Sequence, residues 1–311
     1  MSNVAFTIFG MDIYWYAIMI VSGIMAAMAI AAFLLKSKGY KPDVVIDFAL
    51  LTLPLAIIGA RLYYVLFTLD RGWTFGEIFL GIRDGGLAIY GGVIGGAIGV
   101  LLTCKIKKYK LSQFWDVADA IAPGLIFAQA VGRWGNFFNQ EAHGAPVLDP
   151  SKWKLPYAIF VDGTIPGSSP VGWYQATFFY ESMSNLFAAI VLFVLAYRLR
   201  GQFKGIILAG YLVLYGIIRV VIEGLRTDSL MWGNVRVSQL LSGLLILAGA
   251  AWIAYILVND LILKPKKAAA NGTGTIDVVA VADTEPDPVT APEGDVPPKK
   301  RKAESKPKEK E

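Results

Sequence analysis

Charge is scarce in this sequence. Only 17% of its 311 residues are Asp, Glu, Lys or Arg, against 55% hydrophobic residues. A water-soluble globule carries about a quarter charged residues, so this class is excluded and a protein that crosses a membrane several times is expected. Cysteine is nearly absent: Cys104 stands alone, which excludes an internal disulfide and reads as a small apolar residue at the end of a span. Histidine is limited to His143. No HExxH, no Cys/His ligand set and no cluster of three carboxylates occurs, so neither metal catalysis nor a metal site is expected. Without a Walker loop or a dinucleotide fingerprint on a βαβ unit, no cofactor is expected either. No basic n-region precedes the first apolar run, which is too long for a signal-peptide core and reads as a retained span.

What is abundant is long apolar runs. A bilayer core needs about 20 apolar residues per helix, and seven stretches qualify: 14–35, 44–67, 86–104, 114–131, 177–197, 205–224 and 237–258. The fourth is interrupted by Asp116, Asp119 and Pro123. The expected fold class is therefore all-α, a polytopic membrane protein with seven transmembrane helices. Basic residues follow every odd span: Lys36, Lys38 and Lys41; Lys105, Lys107, Lys108 and Lys110; Arg198, Arg200 and Lys204; Lys264, Lys266 and Lys267. The positive-inside rule puts these on the cytoplasmic side, with the N-terminus outside and the C-terminus cytoplasmic. The net charge of +5 then belongs to loops and a tail near anionic lipid, and no nucleic-acid partner is expected. The domain plan is a seven-span body, 1–263, with a long outer-side loop at about 132–176, followed by a charged tail, 264–311, too poor in bulky apolar residues to fold. The "KKRK" run at 299–302 belongs to that solvated tail.

Three clusters put polar groups where lipid should exclude them. The first is "VGRWGNFFNQEAHG", 131–144, at the outer exit of span four, with Arg133, Asn136, Asn139, Glu141, His143 and Gly144. Arg133 can fork onto phosphate oxygens. Unwinding near Gly135 would free backbone groups that only protein, water or ligand could satisfy. His143 reads as an exposed loop residue rather than a base. The second is span six, "YGIIRVVIEGLR". There Tyr215, Arg219, Glu223 and Arg226 share one helical face, either as a structural ion pair or as a site for phosphate or carboxylate. The third is "RDGGLAIYGGVIGG", 83–96, whose paired glycines permit close approach of backbone or ligand around Tyr90. Arg61 lies within span two. A site on the outer side, lined by arginines with Tyr and Asn donors and no nucleophile of its own, suits a phosphate-bearing lipid whose reaction partner arrives from elsewhere. A transporter of an anionic lipid or small organic anion is the alternative.

"GRWGNFFNQE" at 132–141 resembles the G-R-x-G-N-F-x-N-x-E pattern of the bacterial prolipoprotein diacylglyceryl transferases. The resemblance extends over roughly 10–260, through "DIYWYAIMI", "GARLYYVLF", "DGGLAIYGGVIGG" and "YGIIRVVIEGLR". It implies a multi-pass enzyme of the bacterial cytoplasmic (inner) membrane whose active site faces the outer leaflet. Its partners would be phosphatidylglycerol, prolipoprotein signal peptides with a lipobox cysteine, and membrane lipids. The implied reaction is transfer of the diacylglyceryl group to that cysteine, forming a thioether and releasing glycerol phosphate, as the first step of lipoprotein maturation. Family roles carry onto Tyr16, Gly85, Arg133, Asn136, Glu141, Gly144, Arg219 and Glu223. With the residue-level candidates, the expected catalytic set is Arg133, Arg219, Tyr90 and Glu141. The expected substrate-binding set is Tyr16, Arg61, Gly85, Asn136, Asn139, Gly144, Glu223 and Arg226. Two departures stand out. Many members carry His where this chain has Tyr90, whose unperturbed pKa near 10 suits a donor better than a base. "QATFFYES" at 175–182 replaces a His-Pro start while keeping Tyr180 and Glu181.

Overall fold

The computed structural model describes residues 2–80, 86–165, 168–227, 230–233 and 235–263; Gly85 and the tail 264–311 lie outside the described residues. A short hairpin, β1 (Val4–Ile8) and β2 (Met11–Tyr14), leads directly into α1 (Trp15–Ser37). Then come α2 (Asp43–Leu66), the short α3 (Phe75–Leu80), α4 (Ile89–Ile106) and α5 (Leu111–Phe138). A second hairpin, β3 (Ala158–Val161) and β4 (Gly172–Gln175), precedes α6 (Thr177–Leu199) and α7 (Ile206–Leu225). A third, β5 (Met231–Trp232) and β6 (Val235–Arg236), precedes α8 (Val237–Leu257), which continues as a π-turn over Val258–Leu263. Among the described residues, seven helices are long and apolar enough to cross a membrane. The molecule is mostly helical as expected, and the described residues include three two-stranded hairpins that the all-α expectation did not contain.

The least apolar of the seven, α5, is the hub: it packs on α1, α6 and α7. Half of its most apolar stretch is buried, against 17% for the same measure in α2. A helix surrounded by protein need not be uniformly apolar, which is why Asp116, Asp119 and Pro123 do not break it. Its neighbours meet it in one core through Leu34, Leu35, Val117, Ala120, Ile126, Leu192 and Tyr211. α8 packs on α7, and α4 on α2. The α2–α4 contact is glycine-built: a Cβ at Gly91 would collide with the backbone oxygen of Gly59, and one at Gly99 would lie 2.6 Å from Thr52 Cα. Removing side chains lets two lipid-facing helices approach backbone to backbone. α2 joins the main core through Val44, Val45 and Phe48, near its first turns.

Candidate functional site

The signature segment stays helical past Gly135. α5 runs on through Gly135 to Phe138, and the Asn139 N–H still donates to Gly135 O at 3.0 Å. Gly135 serves packing: a Cβ there would lie 2.6 Å from the Tyr16 ring. The long loop is correspondingly shorter than 132–176 and is braced by β3 and β4.

On this straight helix Arg133 and Asn136 are three apart and share a face; Arg133 Nη1 donates to Asn136 Oδ1 at 3.3 Å. Arg133 Nη2 lies 2.8 Å from Glu181 Oε1, and Arg219 Nη1 lies 3.4 Å from Glu181 Oε2. Arg219 Nη2 then reaches Glu223 Oε2 at 2.6 Å. Both carboxylates are 2% exposed, while Arg133 and Arg219 keep 20% and 14% of their side-chain surface. On the other flank, Glu141 Oε1 accepts from Asn136 Nδ2 at 3.0 Å and from Asn139 Nδ2 at 3.2 Å. Tyr16 lies within electrostatic range of Glu141 and Arg133. The result is a continuous polar ribbon, Glu223–Arg219–Glu181–Arg133–Asn136–Glu141, crossing three helices.

Glu181 is the joint of the ribbon, and it was absent from the expected site set. The signal was present: Glu181 persists where the neighbouring His-Pro is lost. Its placement is local chemistry. Thr177 Oγ1 donates to Ala142 O at 2.6 Å, and Ser182 Oγ donates to Ala130 O at 2.9 Å while accepting from Trp134 Nε1 at 3.1 Å. These bonds fix the first turns of α6 on α5 with Glu181 opposite Arg133. A buried carboxylate removed from water is tolerable only with such partners.

The remaining candidates fall elsewhere. Arg61 is buried, and its guanidinium donates to the backbone oxygens of Glu77, Ile78 and Gly86 at 2.6, 3.0 and 3.1 Å. It also lies over Trp73 at 5.1 Å. The structure therefore gives Arg61 the task of holding the connection after α2, apart from the ribbon. Tyr90, in the first turn of α4, packs against Tyr63 with ring centroids 6.2 Å apart, and among the described residues its hydroxyl makes no hydrogen bond. Arg226 leaves the expected common face: it caps α7 in an extended conformation, and its backbone bridges to Gly144. Gly144 is wedged; a Cβ there would lie 2.6 Å from Gln175 Oε1 and 2.9 Å from Leu225 O. His143 is not an exposed loop residue but is 5% exposed, its ring against Tyr174 at 4.2 Å. Tyr174 and Gly144 close over it.

Seven apolar helices, three of which carry a ribbon of two arginines and two buried glutamates, define an integral membrane protein with an ionic cluster between its helices. A family profile, prolipoprotein diacylglyceryl transferase, matches residues 3–255. The chain is 44% identical over 256 residues to phosphatidylglycerol–prolipoprotein diacylglyceryl transferase 1 of Clostridium perfringens, covering 82% of this chain and 95% of the relative. It is 43% identical over 250 residues to the enzyme so named in Finegoldia magna (80% and 93% covered) and 40% identical over 258 residues to that of Listeria monocytogenes (81% and 88%). The chain belongs to the prolipoprotein diacylglyceryl transferase family, whose members are membrane transferases.

Proposed function

We propose that the ribbon is the site at which the diacylglyceryl group of phosphatidylglycerol is transferred to the lipobox cysteine of a prolipoprotein. The observation that carries this reading is the pair of arginines sharing one buried carboxylate, Glu181. Each guanidinium has five N–H donors, and the described contacts leave some on each free for a phosphate. The acceptor thiolate attacks the glycerol carbon that bears the phosphate; a C–S bond forms, the C–O bond breaks, and the phosphate departs as glycerol phosphate. Charge grows on the leaving phosphate, and Arg133 and Arg219 are held where preorganised cations stabilise it. Glu181 spaces the two arginines and keeps them from collapsing onto the phosphate in a single geometry. Glu141, through Asn136, orients Arg133. Tyr90 donates its free hydroxyl to substrate.

Orientation follows from the basic residues at the ends of α1, α4 and α6: the N-terminus is outside, the tail cytoplasmic, and the ribbon near the outer leaflet of the inner membrane. A reporter cysteine at Asp149 in a Cys104→Ala background reacts with an impermeant thiol reagent in intact cells, and one at Lys107 does not; the reverse pattern overturns this placement. The function itself is tested with purified enzyme, phosphatidylglycerol labelled in its acyl chains and a lipobox peptide. Label appears on the peptide cysteine. Label that crosses a bilayer without joining the peptide would identify a lipid carrier instead.

A further inference from the structure

Gln140 occupies the left-handed region, φ +53°, and so does Ala142, φ +57°. Neither is glycine, so each position is conformationally strained and is held by its surroundings. Glu141 lies between them. The double reversal turns the chain back on the end of α5, with the Glu141 N–H donating to Asn136 O at 3.1 Å. The same turn brings the Glu141 carboxylate onto Asn136 and Asn139.

Two clamps hold the turn. On one side Thr177 Oγ1 grips Ala142 O. On the other, Gln140 is 3% exposed and makes a reciprocal pair with Asp162, just beyond β3. Its Nε2 donates to Asp162 Oδ1 at 2.7 Å, and its Oε1 accepts the Asp162 N–H at 2.9 Å. Asp162 is anchored independently, since its Oδ1 also accepts from Thr164 N at 3.0 Å and Thr164 Oγ1 at 2.6 Å. A glycine would adopt this backbone freely, but only a long primary amide can both donate to and accept from Asp162.

We infer that Gln140 is a positioning residue of the transferase site: locked on Asp162, it fixes the left-handed turn that holds Glu141 on Asn136 and thereby sets the direction of the Arg133 guanidinium. This rests on the transferase reading above. Among the described residues, the Gln140 side chain has its hydrogen bonds on Asp162 and none on Arg133, Glu181 or Arg219; it acts through Glu141. Because Arg133 is assigned to charge that grows during the reaction, misdirection lowers turnover more than it weakens lipid binding.

The test breaks the clamp in two ways. Q140E sets two carboxylates against each other at hydrogen-bond distance. Q140A removes both bonds to Asp162 and leaves Asp162 on Thr164. Turnover per folded molecule is measured with phosphatidylglycerol and a lipobox peptide, and hydrogen–deuterium exchange is followed in segment 139–144. Q140E loses about ten- to a hundredfold in kcat, as small misplacements in an active site do. Its KM for phosphatidylglycerol stays within about threefold, and exchange in 139–144 quickens. Q140A shows the same split. Unchanged exchange or unchanged kcat in both variants, or a fall in folded protein with kcat intact, would each overturn the inference. Exchange that quickens in the variants of an enzyme whose wild type transfers nothing would support the clamp and sink the transferase reading.

Discussion

α5 carries a buried ionic cluster at each end, and the two are built from different cations. Near its start, two lysines and a phenol gather on one carboxylate. Asp116 Oδ2 takes the Lys204 ammonium at 2.5 Å and the Tyr40 hydroxyl at 3.0 Å, while Lys38 lies 3.5 Å from Oδ1. Burial pushes the Lys38 ammonium down in pKa, with Asp116 opposing. Burial and then Asp116 push the Tyr40 phenol up, so it keeps the proton it donates. One turn on, Asp119 accepts the N–H groups of Gly205, Ile207 and Leu208 at 2.8, 3.1 and 3.0 Å. It thereby caps α7 from across the bundle, satisfying donors that a helix start leaves orphaned. Near its end two cations again flank one carboxylate, Glu181, but here they are arginines, and Arg219 holds a second carboxylate, Glu223. The first cluster joins α1, α5 and the α6–α7 connection through ammonium groups and a phenol. The second is built from partly exposed guanidinium groups with N–H donors beyond those used on the carboxylates, and that difference is the basis on which it is proposed as the binding cluster.

The comparison breaks if the two ends respond alike to substitution. Arg133→Lys keeps a charge but loses the fork, and turnover falls by at least about a hundredfold, the scale of removing one preorganised donor; near-wild-type turnover in inserted protein would make Arg133 a structural partner of Glu181. Tyr90→Phe loses about ten- to a hundredfold, equivalent to one hydrogen bond to a charged group. Its pH–rate profile keeps its shape if the hydroxyl is a donor, and a vanished limb would assign Tyr90 as the base. Asp119→Ala, at the structural end, costs on the order of 3 kcal/mol in unfolding free energy by stranding buried donors. Its turnover per folded molecule stays within about threefold of wild type, and a larger kinetic loss would mean that both ends serve catalysis. Truncation after residue 264 leaves activity in membranes within about twofold, since the removed segment has little to bury; loss at normal protein level would give the tail a role.

Spans were legible because the bilayer imposes length and apolarity on each helix. Their ends were less so. The 114–131 reading stopped short at both sides, because hydropathy reports contact with lipid and α5 contacts mostly protein. The hairpins were missed because they are two to five residues long and pair over distances that local pattern does not encode. Arg133, Asn136, Glu141, Arg219 and Glu223 were readable as charged or amide groups at helical spacing. Glu181 carried only the signal of its persistence beside the lost His-Pro, because its meaning lies in the pairing of α6 with α5 and α7. Arg61 was expected in the substrate-binding set from its place within a span; the fold adds that its guanidinium donates to backbone carbonyls of the connection after α2.

The central claim is that Glu181 spaces two arginines for a phosphate. The most direct measurement is transfer of labelled diacylglycerol from phosphatidylglycerol to a lipobox peptide by purified Glu181→Gln, with insertion and folding verified. Wild type should release one glycerol phosphate for each cysteine alkylated. The variant, with one arginine freed from its anchor, should be slower by at least about a hundredfold. Turnover near that of wild type would contradict the account.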